Sequence, residues 1–253
     1  MNFQKDSQTK AFQKRQCGII IPVYNSAQFL EELLHRIARV QANLSDWTFQ
    51  VVIVDDGSRP AVPQFSHFDN LDMTQLRHDD NLGKGAALKS GFIHFLKQEG
   101  ISAVLSLDAD LQHPPEYIPQ FLEKFERGRE DILIGSRRRH LKVMPFHRII
   151  SNTLTSFIIS LLIGQKVLDS QCGFRLYSRR ALQSVHAEET RFHLESEFLI
   201  RSGWQNFSIG HVQIPTIYND APSAIKNIPD TVNFIGLIFR LLKERISGNV
   251  RPA

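Results

Sequence analysis

Cysteine is nearly absent: Cys17 and Cys172 are the only two in 253 residues, far apart and without metal-ligand spacing. Neither a disulfide framework nor a zinc centre is expected from them, and two free thiols suit a reducing cytoplasm. A strong excess of one charge is also missing. Thirty Lys and Arg against 26 Asp and Glu leave a net charge of +4, which permits an anionic partner without choosing one. The first sixteen residues carry Lys5, Lys10, Lys14 and Arg15 but no apolar core of a signal peptide, so they read as a frayed polar lead-in. The charge-free stretch Ile149 to Gln165 has 17 residues and includes Ser151, Asn152, Thr153, Thr155, Ser156 and Ser160. It is too short and too polar to span a bilayer. No internal repeat, low-complexity tract or linker divides the chain.

What is present describes an ordinary globular protein: 42% hydrophobic and 22% charged residues. A chain of this length buries a sizeable core without staples. Apolar runs alternate with helical patterns, which predicts a mainly parallel α/β sheet covered by helices. Strands are expected at Cys17 to Val23, Phe49 to Val54, Asp72 to Arg77, Ala103 to Leu107 and Asp131 to Gly135. Between them, helices are expected after the first strand (Phe29, Leu30, Leu33, Leu34, Ile37, Val40), at Gly83 to Gln98 and at Glu116 to Phe125. Further on, Ile149 to Gln165 and Thr231 to Ile246 read as apolar or amphipathic helices, the second with Val232, Ile235, Phe239, Leu242 and Ile246 on one face.

Ligands of open α/β sheets bind beyond the carboxyl ends of the strands. Those ends here carry Pro22-Val23-Tyr24-Asn25, Asp55-Asp56-Gly57-Ser58, Asp108-Ala109-Asp110-Leu111-Gln112-His113 and Gly135-Ser136-Arg137. Alone, Asp108 and Asp110 read as two solvated turn aspartates. A second acidic cluster at a neighbouring strand end makes that reading harder to hold, and a cation between Asp108 and Asp110 would relieve their repulsion. Oxygen donors favour Mg²⁺ or Mn²⁺, and Gln112 adds a carbonyl. Asn81-Leu82-Gly83-Lys84-Gly85 opens a helix and fits neither a P-loop nor a dinucleotide fingerprint; alone it is a tight loop with a helix start. Arg137, Arg138, Arg139, His140, Lys142, His147 and Arg148 form a basic segment ahead of the charge-free helix. No nucleic-acid module accompanies it, and it reads better as contact with an anionic membrane surface and a lipid phosphate. Glu195 and Glu197 lie on one helix, where only one is expected to reach a site and the other to be solvated.

Taken in order, these motifs, with Arg148 and Cys172-Gly173-Phe174-Arg175, resemble family 2 glycosyltransferases. The nearest likeness within the family is to the dolichol-phosphate mannosyltransferase and polyprenyl-phosphate glycosyltransferase branch, over about residues 17 to 245. The resemblance implies one GT-A domain over 17–246 with C-terminal amphipathic helices and a tail at 247–253. It implies a GDP- or UDP-linked sugar donor, Mg²⁺ or Mn²⁺, and inverting transfer to a dolichyl- or undecaprenyl-type phosphate. Position by position, Pro22, Val23 and Tyr24 with Asp55 and Asp56 match the nucleoside pocket, and Lys84 matches the loop beside the nucleotide. Asp108, Asp110 and Gln112 match the metal and diphosphate site, with Ala109 against the substrate. Arg137 and Arg148 match arginines that bind donor and acceptor phosphates, and Arg175 and Glu197 match the acceptor side. Asp110, Arg137, Arg148 and Arg175 are the implied catalytic set.

The first motif departs from the family by having Ser26 where Glu is usual, and only Ser223 and Lys226 loosely match a late acceptor loop. Transmembrane helices appended in some members of the branch are not expected through Ala253. A peripheral place at the cytoplasmic face of a membrane follows, with homo-oligomerisation left open. Two other functions fit the same residues: transfer to a glycan hydroxyl, with Glu197 or Asp169 as base, and a non-catalytic nucleotide-sugar-binding or membrane-adaptor role.

Overall fold

The computed structural model describes residues 14–65, 68, 70–137, 146–217 and 227–247, with backbone only at 146–148 and 227–231. Seven strands form one sheet: β1 (Arg15–Val23), β2 (Trp47–Asp55), β3 (Asp72–Arg77), β4 (Ile101–Ser106), β5 (Ile132–Arg137), β6 (Arg175–Ser178) and β7 (Ile209–Ile214). The helices are α1 (Leu30–Ala42), α2 (Lys84–Leu96), α3 (Ile118–Glu126), α4 (Phe146–Ile163), α5 (Arg179–Ser184), α6 (Leu194–Trp204) and α7 (Asn227–Ile246). The strand order is β3-β2-β1-β4-β6-β5-β7. β6 runs antiparallel to both β4 and β5, and the other pairs are parallel.

All five expected strands and the expected helices are present, with ends shifted by a few residues. β1 begins at Arg15, so the polar lead-in gives way to strand before residue 17. Residues 1–13, the basic stretch 138–145, Ser223, Lys226 and residues 248–253 lie outside the described residues. The sequence reading missed β6 and β7.

The central strands are apolar on both faces because helices cover both. Ile19, Ile20 and Ile21 of β1, Val51 to Val54 of β2, and Ile132 to Ile134 of β5 are all buried. β-branched residues suit such strands, since their stiff side chains pack well on a pleated surface. Phe174 extends the core under the site edge, 4.5 Å from Phe121 and 5.6 Å from His113, ring centre to ring centre.

The two late helices behave differently from core helices. α4 turns Asn152, Ser156 and Ile159 inward, whereas Ile150, Leu154, Phe157 and Leu161 are 50, 54, 62 and 74% exposed. Its buried Ser156 hydroxyl bonds with that of Ser170 at 3.1 Å. α7 buries Phe234, Leu237 and Leu241 and exposes Val232, Ile235, Phe239 and Ile246. The face read as heptad-like from the sequence is therefore the outer one. Trp204 ties both helices to α6, donating to the Leu162 carbonyl and stacking under Arg245. Among the described residues, no helix is long and apolar enough to cross a membrane.

Candidate active site

The carboxyl ends of β1, β2, β4 and β5 share one edge of the sheet. In register, Val23 stands beside Asp55, and Asp55 beside Arg77. Asn25 and Ser58 tie the first two ends together: the Asn25 amide donates to Ser58 Oγ at 3.0 Å, and the Arg59 amide to Asn25 Oδ1 at 2.8 Å. Tyr24 at this end is 49% exposed.

Asp55 is fully buried and accepts from the amides of Ser58 and Val62 and from the Arg77 guanidinium. Burial disfavours its charge, but these bonds outweigh that and hold its carboxyl below the ordinary range. Asp56 accepts from the amides of Leu82 and Gly83 at 3.0 and 2.8 Å and from His78 Nδ1 at 2.7 Å; His78 Nε2 lies 2.9 Å from Ser90 Oγ. The amides that open α2 are thus used inside the protein, and the Asn81 to Gly85 segment is the tight loop with a helix start. Gly83 is at φ +101°, and a Cβ there would lie 2.6 Å from the Thr190 carbonyl. Only glycine fits both demands.

One residue further, Lys84 points across to β4. Its Nζ lies 2.7 Å from Asp108 Oδ1 and 3.3 Å from Glu195 Oε2. The two acidic clusters are therefore linked in sequence, from Asp56 through Gly83 and Lys84 to Asp108. Burial opposes the Lys84 charge, but Asp108 and Glu195 raise its pKa. Burial also opposes the Asp108 charge; Lys84, His113 and Arg137 overcome it and bring the carboxyl down to about 2. Asp110 goes the other way, its pKa raised by burial and by the charge of Asp108. Its Oδ1 accepts the Gln112 amide at 3.0 Å, in a turn where Leu111 adopts φ +62°.

Burial drives His113 down to about 4, so it is neutral. Its Nδ1 accepts the Asp108 amide at 3.0 Å, and its Nε2 lies 3.8 Å from Cys172 Sγ. His113 was visible only as the last letter of the acidic motif; here it shapes the turn carrying Asp108. At the next strand end, Arg137 is gripped by Asp169 through two bonds of 2.7 and 3.0 Å. Asp169 is 1% exposed. Arg148 is on the first turn of α4, and its side chain lies outside the described residues.

Arg175 and Glu197, which the family resemblance puts on the acceptor side, are both fully buried. Arg175 donates to the carbonyls of Ser170, Cys172 and Glu195, which fixes the loop after α4 against α6. Glu197 accepts from Arg201 and from the amides of Glu188 and Glu189. Neither glutamate of α6 is solvated, because Glu195 is also buried, beside Lys84 and Arg175. Of the two glutamates the sequence reading weighed, Glu195, passed over for Glu197, is the one beside Lys84. Its pairing with Lys84 spans more than a hundred positions and leaves no local signal.

Comparison with known proteins places this architecture. Residues 18–185 match the family model described as Glycosyl transferase family 2. A UDP-N-acetylglucosamine–dolichyl-phosphate N-acetylglucosaminyltransferase of Methanococcus voltae is 28% identical over 223 residues, 80% of this chain and 86% of that protein. An undecaprenyl-phosphate 4-deoxy-4-formamido-L-arabinose transferase of Proteus mirabilis is 28% identical over 172 residues, 66% of this chain and 50% of that protein. In fold, the chain superposes on glucosyl-3-phosphoglycerate synthase of Mycobacterium tuberculosis, solved with Mn²⁺, UDP-glucose and phosphoglyceric acid. The TM-score is 0.63 at 17% identity, over 90% of this chain and 79% of that one. The seven-stranded, helix-flanked sheet is the GT-A fold, and the chain belongs to glycosyl transferase family 2 and is a glycosyltransferase.

Proposed function

We propose that the enzyme transfers a sugar from a nucleoside diphosphate to the phosphate of a polyprenol, inverting the anomeric carbon, while seated at the cytoplasmic face of a membrane. The observation that carries this reading is the inverted α4. It exposes an apolar stripe about 16 Å long, at 1.5 Å per residue, and buries Ser156. Ser156 holds Ser170, next to the Asp169 that grips Arg137. A lipid-facing helix is thereby joined to a phosphate-binding arginine. Interfacial helices bury such a face in the headgroup boundary. The two relatives named for dolichyl- and undecaprenyl-phosphate transfer support the same acceptor class.

A phosphate monoester acceptor is ionised near neutral pH. Its oxygen bonds to the anomeric carbon from the face opposite the diphosphate, whose bond to that carbon breaks. No general base is needed. That agrees with the state of Asp169 and Glu197, the two carboxylates a hydroxyl acceptor would call on, since both are locked in ion pairs. Arg137, oriented by Asp169, holds phosphate oxygens through charge-assisted bonds, and Arg148 is assigned the same task. The nucleoside is assigned to Pro22, Val23, Tyr24, Asp55 and Asp56, with Ala109 against the donor.

The donor set fits a hard divalent cation. Asp108, Asp110 and the Gln112 carbonyl are oxygen donors suited to such an ion; burial and then the charge of Asp108 raise the Asp110 pKa, and a cation there would offset both. Among the described residues, no group of three or more His, Cys, Asp or Glu could hold a metal. The remaining positions would go to the diphosphate and water, as Mg²⁺ usually prefers. When bound, the cation neutralises charge on the departing diphosphate.

The test is a donor screen with Mn²⁺ and either polyprenyl phosphate or oligosaccharide acceptors, read by mass spectrometry, with the product anomer assigned by NMR. Lipid-linked sugar of inverted configuration is expected. Product only with oligosaccharides, or with retained configuration, overturns the proposal.

A further inference from the structure

From the contacts of Lys84 we infer that its ammonium and the divalent cation compete for Asp108, and that Glu195 is a positioning residue which takes the ammonium when Asp108 turns to the metal. This rests on the metal reading above and goes beyond it.

The ammonium is caged. Asp108 Oδ1 lies 2.7 Å from Lys84 Nζ, while metal–oxygen bonds of Mg²⁺ run about 2.0–2.1 Å. A cation bound to that oxygen would sit against the ammonium. Gly173 closes one side: a Cβ there would lie 2.6 Å from Nζ and 3.0 Å from Asp108 Oδ2. The second carboxylate within reach is Glu195, whose Oε2 is 3.3 Å away. That is inside ion-pair range but long for a charge-assisted bond of about 2.7–2.9 Å. A shift of about half an ångström completes it.

Glu195 has capacity for this. Its Oε1 is buried and accepts no hydrogen bond; the nearest cation is Arg175 Nε at 3.6 Å. Its backbone cannot drift, because Arg175 donates to the Glu195 carbonyl at 2.8 Å and to two carbonyls of the 170–172 loop. The buried arginine that the family resemblance would put beside the acceptor instead anchors the carboxylate that receives Lys84. The ammonium thus keeps Asp108 charged and in place before the metal arrives, then stays in the site beside it.

The experiment measures Mn²⁺ affinity of the full chain by the EPR signal of free Mn²⁺, with and without a nucleoside diphosphate, alongside melting temperature. Glu195→Gln should weaken Mn²⁺ binding by about tenfold, the lower end for a residue supporting a metal ligand. Lys84→Met should tighten it. In the Lys84→Met background, Glu195→Gln should change nothing further, the coupling a double-mutant cycle reads. Equal affinity in wild type and both single variants overturns the competition. So does the same loss from Glu195→Gln with or without Lys84, which would mark Glu195 as merely structural. If Glu195→Gln does not fold, Lys84→Met decides alone, and unchanged or weaker binding overturns the proposal. Wild-type protein that binds no Mn²⁺ in either condition sinks the metal reading itself, whereas binding abolished by Asp110→Asn but indifferent to residues 84 and 195 sinks only this inference.

Discussion

Asp108 and Asp110 are two residues apart and differ in environment. Asp108 is held charged by Lys84, whereas at Asp110 burial and the charge of Asp108 outweigh the Gln112 amide bond and the more distant pull of Lys84. Replacing Asp110 with alanine should therefore leave the fold intact and cost at least about a hundredfold in kcat/KM, comparable to losing one preorganised electrostatic contact. Steady-state kinetics beside a melting curve check it, and near-normal turnover contradicts the metal assignment. His113 sets an acid limit on stability. Its pKa is about 4 in the fold against 6.5 in the free side chain, and His211 shows the same direction and value. Between those values the unfolded chain binds more protons, so stability is complete above pH 6.5 and falls as pH drops to about 4. The loss through His113 is of the order of 3 kcal/mol. Asp108 follows below it, losing its ion-pair contribution from 3.8 down to about 2. Urea midpoints measured from pH 7 to 4 should show the decline, and His113→Asn, which keeps an acceptor for the Asp108 amide, should remove about half of its slope. Burial pushes the Cys17 and Cys172 thiols up to about 12, so both should resist iodoacetamide until the protein unfolds.

At the scale of elements, α4 and β6 separate what a pattern reveals from what it hides. The periodicity of α4 is visible in the sequence, but a period does not say which face is outward. Packing chose the serine face, because Ser156 and Ser160 find partners in Ser170 and Val167. Phe157→Ser with Leu161→Ser should accordingly leave stability within about 0.5 kcal/mol, as exposed substitutions do, and abolish flotation with anionic liposomes. Retained flotation would move the membrane contact elsewhere. β6 hides because RLYS is four residues long with arginine at its start. Arg175 is tolerated at full burial only because three carbonyls accept from it, and those lie 3, 5 and 20 positions away.

The whole molecule couples its core to its site. Phe174 packs on Phe121 and His113, and the Gly173 carbonyl accepts the Ser106 hydroxyl of β4 at 2.9 Å. Phe174→Ala should cost about 3–5 kcal/mol as a buried aromatic truncation, and should also weaken Mn²⁺ binding, because His113 loses the ring it stacks on. Denaturant unfolding and Mn²⁺ titration read the two effects separately. The sequence alone settled the strand–helix alternation, the sheet's parallel core and the acidic and basic residues at its edge, because these are local patterns of side-chain period and turn chemistry. Tertiary structure alone decided which carboxylates are engaged by which cations, which arginine is fully interior, and which side of α4 faces out. Those outcomes depend on burial and on partners many positions distant, and no local period encodes either.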